Sequence, residues 1–396
     1  MKPTFSQKYY ALGSCRSEIR ELFEYGKKRA AEIGSENVYD FSLGNPSIPA
    51  PECVKQAIIK ALDADPLSLH GYTSAEGDLA VRRAVAGYIE KTHSHKCSAY
   101  DVYMTCGAAA SLTVTLNALA CAGDEVIVLA PYFPEYKVFI EQAGMKCVEV
   151  RCREGDFGID VSAVEAALTE NTKAVIINSP NNPTGVVYPE SDIRALGDIL
   201  TAAGERFGRS IYIIADEPYR ELVYDRAVVP FIPNCYKNTI VCYSFSKSLS
   251  IPGQRIGYIF VSPQICGHDE IYYAVCGAGR ALGFVCAPSL FQRVAAECIG
   301  MTADISAYEA NRKTLIDALC EYGYEVVCGK GAFYLFVKAP GGDSRAFCER
   351  AKGYGLLIVP SDSFGYPGYA RISYCVSPEM IGRSLPAFKK LIEEYK

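Results

Sequence analysis

The chain has no tryptophan, only five methionines and only four histidines. It also lacks any C-x-x-C pair, although it carries 17 cysteines, of which Cys147 and Cys152 are the closest. That absence excludes the usual zinc and thiol-redox spacings, so no metal is expected. The cysteines sit mainly inside apolar runs, as Cys121, Cys242, Cys286 and Cys320 do. They read as small buried hydrophobes of a reducing compartment. His93 and His95 alternate in the polar stretch KTHSHK and read as solvated loop rather than ligands. No run of five like charges occurs. No apolar stretch reaches the roughly 18–20 residues needed to span a bilayer. A net charge of −5 argues mildly against a nucleic-acid partner, since binding a phosphate backbone needs a basic face. Met1 to Tyr10 lacks the apolar core of a secretory signal. The expectation is a cytoplasmic protein with neither a membrane nor a nucleic acid as partner.

What is present is an ordinary globular composition, 49% hydrophobic and 21% charged. At 396 residues the chain is too long for one simple core and suggests a large and a small domain. A helical pattern runs over 17–32, with Ile19, Leu22, Phe23 and Ala30 at helix spacing. The proline-rich stretch 39–51, with Gly44, is irregular, and its backbone can approach a ligand. Helices are predicted over 52–62 and 77–91, and a glycine turn at Gly107 leads into a small-residue helix ending near Ala120. Strands are predicted at 125–129, 173–178, 210–215, 238–243 and 256–261, with helical patterns at 161–168 and 191–207 between them. This alternation predicts a largely parallel sheet flanked by helices on both faces. From about residue 290 the pattern changes to a long helix, 289–299 and onward to 320. Short strands follow at 324–327, 332–337 and 370–374, which reads as a smaller α+β domain.

Chemistry-bearing residues cluster where these strands end, the place where open α/β sheets bind ligands. Ser244-Phe245-Ser246-Lys247 follows a buried strand, and Arg255 lies shortly beyond. An amine there can form a Schiff base, while hydroxyls and a guanidinium can hold a phosphate. The turn at Gly107 presents unpaired backbone N–H groups at a helix start. Ser179 to Gly185 (SPNNPTG) follows KAVIIN, Asp216-Glu217-Pro218-Tyr219 follows SIYIIA, and Arg371 lies in YARISY. Each alone has a structural explanation. Together, in this order, they point to one site.

On NNPTG, DEPY, SFSKSLSIPGQRIGY and the late ARISY arginine, the chain resembles the class I and II aminotransferases among the fold-type-I pyridoxal-phosphate enzymes. The resemblance runs from about Tyr39 to the C-terminus and is nearest the aspartate aminotransferase pattern. It implies a homodimer with sites at the subunit interface. It also implies a cofactor domain over 41–288 and a small domain made from 1–40 and 289–396. Pyridoxal phosphate is the implied cofactor, and an amino acid and a 2-oxo acid such as 2-oxoglutarate are the implied substrates. The resemblance makes Lys247 the covalent anchor and proton carrier, and sets Asp216 against the ring nitrogen. Asn182 and Tyr219 would bond the phenolic oxygen. Ser244, Ser246, Arg255 and the backbone of Gly107, Ala108 and Ala109 would bind the phosphate, with Tyr72 reaching the neighbouring subunit's phosphate. Tyr132 would stack on the ring. Arg371 would take the substrate carboxylate, helped by Asn182 and the Gly44 N–H.

Two departures from the family pattern stand out. Ala108, Ala109 and Ala110 occupy a turn that often carries a polar side chain, leaving backbone N–H groups with Ser111 a poorly placed substitute. The tryptophan that many aspartate-specific members stack on the ring is absent. For the substrate side chain, Arg280 in CGAGRALGF is the one candidate cation for a second carboxylate, and it reads as a surface arginine. Tyr39, Phe41, Phe333 and Tyr334 would suit an aromatic substrate or the core. A β-lyase or decarboxylase on the same scaffold is an alternative. A ligand-sensing regulator is a more distant one, disfavoured because residues 1–40 show no basic helix-turn-helix pattern.

Overall fold

Unbroken apolar runs such as AVII (174–177) and IIA (213–215) are buried throughout, because both faces of their sheet are covered. The computed structural model describes residues 4–14 and 18–396. Its strands are β1 (Tyr39–Asp40), β2 (Val102–Thr105), β3 (Glu125–Ala130), β4 (Lys146–Arg151), β5 (Thr172–Asn178), β6 (Tyr212–Glu217), β7 (Thr239–Ser244), β8 (Gly257–Val261), β9 (Val326–Val327), β10 (Tyr334–Lys338), β11 (Leu356–Leu357), β12 (Val359–Pro360) and β13 (Tyr369–Ser373). β2 to β8 make a seven-stranded sheet in the order β2-β8-β7-β6-β5-β3-β4. Only β8 runs against its neighbours.

On one face, Val126, Val128, Ala174 and Ile176 pack under the helices Ala108–Leu119 and His268–Ala281. On the other, Ile127, Leu129, Val175 and Ile177 pack under Leu79–His93, Glu190–Phe207 and Ser289–Glu297. Each such Ile or Val contributes about 1.5–3 kcal/mol by leaving water. All five predicted sheet strands are present.

Two further sheet strands were not expected. β2 is only four residues long and runs directly into the Gly107 turn. β4 is an edge strand that exposes Lys146, Glu149 and Arg151, a charged pattern that hides a strand in sequence and blunts its free edge.

A second, antiparallel sheet runs β12-β13-β10-β9. The helices Ile305–Tyr322, Ser344–Lys352 and Pro378–Glu393 pack on it through Leu315, Phe347 and Phe388. The predicted long helix 289–320 is broken. Gly300 takes φ +80°, and Asp304 caps a new helix by accepting from the Ser306 N–H at 3.1 Å. The part before the break packs on the large sheet through Val294 and Ala295. The N-terminal segment joins the second layer: β1 pairs with β11, and the helix Glu18–Ile33 sets Leu22 against Leu357 and Val359. Ser17, where that helix was expected to begin, lies outside the described residues.

The readings of the histidines and of the cysteines are corrected. His93 stacks on Phe231 with centroids 4.3 Å apart, and burial lowers its imidazole to about 4. His95 is buried, with its Nδ1 2.7 Å from Asn234 Oδ1; a polar sequence neighbourhood concealed an aromatic cluster. Of the four cysteines taken as buried, Cys242 is, Cys286 is half-buried, and Cys121 and Cys320 are exposed. Among the described residues no helix is long and apolar enough to cross a membrane.

Candidate active site

At the carboxyl end of β7 the chain makes a single helical turn, Phe245–Ser248. Ser244 caps it by accepting from the Ser246 N–H at 3.2 Å. That turn directs Lys247 into a cavity of about 300 Å³ between the two sheets. Lys247 Nζ donates to the Gly44 carbonyl at 2.6 Å and lies 5.3 Å from the Phe333 ring centroid. Burial pulls its amine down from 10.5 to about 8, and the positive Arg255 and Arg371 act in the same direction. About a tenth of this amine is therefore neutral, and so nucleophilic, at pH 7, far more than for an ordinary lysine.

Asp216 lines the same cavity from the end of β6. Its Oδ2 accepts from the Tyr136 hydroxyl. Its Oδ1 is buried without a partner. Burial raises this carboxyl from 3.8 to about 7, with the Tyr136 bond opposing and Glu217 adding to the rise. Such a carboxylate is poised for a cationic donor at Oδ1. Asn178 ties the neighbouring loops together: its Nδ2 donates to the Asp216 carbonyl at 2.9 Å, and its Oδ1 accepts from the Asn182 N–H at 2.7 Å.

Arg371 enters from β13. It sits in mid-strand rather than at a strand end, because this antiparallel sheet presents its face, not its edge, to the cavity. Its Nη1 donates to Asn182 Oδ1 at 3.0 Å and its Nη2 to the Ser42 carbonyl at 2.5 Å. The rings of Tyr334 and Phe364 flank the guanidinium, with centroids 4.6 and 5.1 Å from Cζ. Arg371 Nε is buried without a partner. The Tyr334 and Tyr219 hydroxyls are bonded to each other at 3.0 Å. A Cβ on Gly44 would collide with the Tyr334 hydroxyl, so this position requires glycine.

The opposite end of the cavity is built to receive an anion. Gly107 takes φ +87°, and the helix Ala108–Leu119 starts there, pointing the first backbone N–H groups of Ala108 and Ala109 toward the cavity. A Cβ on Gly107 would lie 2.8 Å from Arg255 Nη2. Ser244 and Ser246, their hydroxyls 2.8 Å apart, line the same end with Arg255. Ser111 points away and bonds Thr105 Oγ1 at 2.7 Å inside the core.

The structure thus brings together Gly44, Ala108, Ala109, Asn182, Asp216, Tyr219, Ser244, Ser246, Lys247, Arg255 and Arg371. Tyr132 is not among them, and the adjacent Phe133 lines the cavity instead. Neighbouring side chains leave an extended segment in opposite directions, and Tyr132 turns toward Tyr136 and Glu149. Tyr72 is 98% exposed and away from its own chain's cavity. Arg280 is exposed on the helix His268–Ala281. Of the four aromatic candidates only Tyr334 lines the cavity, while Phe41 is in the core against Phe388.

Several residues of the site were not found from sequence. Asn178, which lines the cavity, and Tyr136, which bonds Asp216 from outside it, carry no motif of their own. Ile19 and Leu43 line the cavity, yet they read in sequence only as a helix's apolar stripe and a loop hydrophobe.

Residues 35–388 match the family described as aminotransferase class I and II. The chain is 32% identical to the probable N-acetyl-LL-diaminopimelate aminotransferase of Bacillus subtilis (strain 168), with 88% of each chain covered. It is 30% identical to an aspartate aminotransferase of Pyrococcus horikoshii, with 96% of each covered. A crystal structure of an amino transferase from Eubacterium rectale superposes with a TM-score of 0.98, at 54% identity over 100% of both chains.

Proposed function

This chain belongs to the class I and II aminotransferases, enzymes that use pyridoxal phosphate, and we propose that Lys247, Asp216 and Arg371 are the groups through which it moves an amino group between an L-amino acid and a 2-oxo acid. One observation carries this assignment of roles: a buried amine of lowered pKa and a buried carboxylate with an unpartnered oxygen face the same cavity. The residues fit the cofactor. Asp216 Oδ1 lacks a donor, which a protonated ring nitrogen would supply. Gly107 leaves free the space beside Arg255 that a side chain would fill. Arg371 Nε lacks an acceptor, which a substrate carboxylate would supply.

Lys247 would hold the cofactor covalently. Ser244, Ser246, Arg255 and the backbone of Gly107, Ala108 and Ala109 would hold its phosphate. Asn182 and Tyr219 would bond its phenolic oxygen, and Phe133 would cover its ring. When bound, the cofactor supplies an aldehyde for capturing amines and a cationic ring that withdraws electrons from Cα. Asp216 keeps the ring nitrogen protonated. Lys247 Nζ, once free, carries the proton to and from Cα. Arg371 and the Gly44 N–H orient the α-carboxylate. Tyr72 would complete a partner subunit's phosphate site, which makes a homodimer the working assembly; its exposure on this chain supports that reading. The same reading divides the chain into a cofactor domain and a small domain built from both ends. The pairing of β1 with β11 supports that division, and the packing of Ser289–Glu297 on the large sheet favours a boundary near residue 304 rather than 288.

Two predictions follow from the buried pair. Covalent uptake of pyridoxal phosphate by the cofactor-free protein is expected to quicken about tenfold per pH unit up to about pH 8 and then level, because only the neutral amine reacts. A lysine left at its ordinary value would instead keep gaining beyond pH 10; stopped-flow absorbance separates the two. Tyr136→Phe removes the one hydrogen bond that the described residues give to the Asp216 carboxylate. A bond to a charged group is worth about 1.5–3 kcal/mol, so cofactor affinity should fall roughly 10- to 150-fold, read by equilibrium dialysis. An unchanged affinity would remove Tyr136 from the account.

A further inference from the structure

Tyr72 is mounted on a segment that its own chain clamps on both sides. The helix Ser289–Glu297 supplies most of the clamp. Its Gln292 is wholly buried. Gln292 Oε1 accepts from the Asp78 N–H at 2.8 Å, and Nε2 donates to the Ala287 carbonyl at 2.7 Å and to Thr73 Oγ1 at 3.3 Å. The amide oxygen and both amide hydrogens are thus in use. From the same helix, Ser289 Oγ donates to the Leu69 carbonyl at 2.6 Å and Arg293 Nη2 to the Ser68 carbonyl at 2.8 Å. Cys286 Sγ donates to the Thr73 carbonyl at 3.2 Å. The segment's other side is fixed to β2, where the Met104 N–H donates to the Glu76 carbonyl at 2.8 Å. A Cβ on Gly77 would collide with Met104 and press on Gln292 Oε1, so glycine lets these parts close up. Residues 68–78 are therefore held before and after position 72, yet Tyr72 itself is 98% exposed. A side chain mounted so firmly and aimed at solvent is pre-set for a ligand outside its own chain.

We propose that Gln292 is a positioning residue for cofactor binding, and that it acts on the partner subunit's site by fixing the backbone of 73–78 from which Tyr72 projects. This rests on the reading of Tyr72 as a phosphate ligand across the interface and deepens it. With the loop set at folding, its ordering entropy is not lost again when the cofactor binds.

The test titrates pyridoxal phosphate into cofactor-free protein and reads affinity from the growth of the visible band, with no turnover. Tyr72→Phe should weaken binding roughly 10- to 150-fold, because a hydrogen bond to a charged group is lost. Gln292→Leu should weaken it at least about fivefold. In the Tyr72→Phe background it should add nothing, because both changes remove one interaction. Thr73→Val, at a half-buried position, removes the loop's own bonds to Gln292 and to the Ser74 carbonyl. It should show the same dependence on Tyr72, and it stands in for Gln292→Leu if a melting curve shows that variant unfolded.

Hybrid dimers of differently tagged chains locate the effect, with Lys247→Ala silencing the band of the chain that carries it. With Gln292→Leu on the silenced chain, the remaining site receives the disturbed loop, and affinity should fall. With Gln292→Leu on the other chain, the loop comes from the intact partner, and affinity should match a hybrid without the change. Equal losses in the two arrangements, additive losses in the double variant, or no loss at all would overturn the proposal and leave Gln292 a support of its own fold. If Tyr72→Phe binds the cofactor as tightly as the parent, or no hybrid assembles, the reading of Tyr72 fails and the proposal fails with it.

Discussion

Lys247→Ala is expected to lose the visible absorbance of the bound cofactor and to lower transamination by roughly 10²–10⁴-fold or more. Two functions leave together: the covalent anchor and the base that moves the Cα proton. The substitution removes a buried amine whose environment disfavours its charge, so the fold should survive. Thermal unfolding of the cofactor-free variant should occur no lower than that of the cofactor-free parent. The sign is clear, because a buried lysine with a lowered pKa opposes folding at any pH where its unfolded counterpart is protonated. Absorbance spectra and a melting curve on the same sample decide the matter. A variant that keeps the band would place the anchor elsewhere.

Arg371→Leu should act differently. The cofactor band should persist, since Lys247, Asp216 and the groups assigned to the phosphate are untouched, although Asn182 loses its bond to the guanidinium. The efficiency with amino acid substrates should fall by roughly 2–5 kcal/mol, about 30- to 5,000-fold, because the α-carboxylate would be buried without its partner. Arg371→Lys should recover only part of this, because an ammonium cannot offer two parallel donors. The aromatic slot of Tyr334 and Phe364 is also shaped for a flat group. Cofactor loss in either variant would show that Arg371 supports the cofactor end of the site instead. The two substitutions therefore separate cofactor capture from substrate recognition.

Much of this site could be read from the sequence because strand ends are legible. A short β-branched run followed by polar residues marks where a parallel sheet opens, and Asn182, Asp216 and Lys247 each follow such a run. Arg371 stood out through its motif, although its place in mid-strand did not. What stayed hidden depended on direction or distance. Tyr132 and Phe133 are adjacent aromatics, and only the path of the backbone decides which one meets the cavity. Tyr136 reaches Asp216 across 80 positions of sequence. Ile19 lies on a helix whose apolar stripe reads as packing, and part of that stripe faces the cavity. The edge strand β4 was missed for a related reason: the charges that guard a sheet margin erase its apolar signature.

The hydrogen bonds of Arg371 have a consequence for how the protein comes into being. Its guanidinium is held by Ser42 and Asn182, so the carboxylate anchor draws on three parts of the chain that the ribosome makes far apart in time. A nascent chain halted after residue 300 would already contain the anchor lysine and every group assigned to the phosphate. It would lack the guanidinium assigned to the substrate's α-carboxylate. On the roles proposed above, β13 is the last strand delivered, and it brings the guanidinium that completes the site.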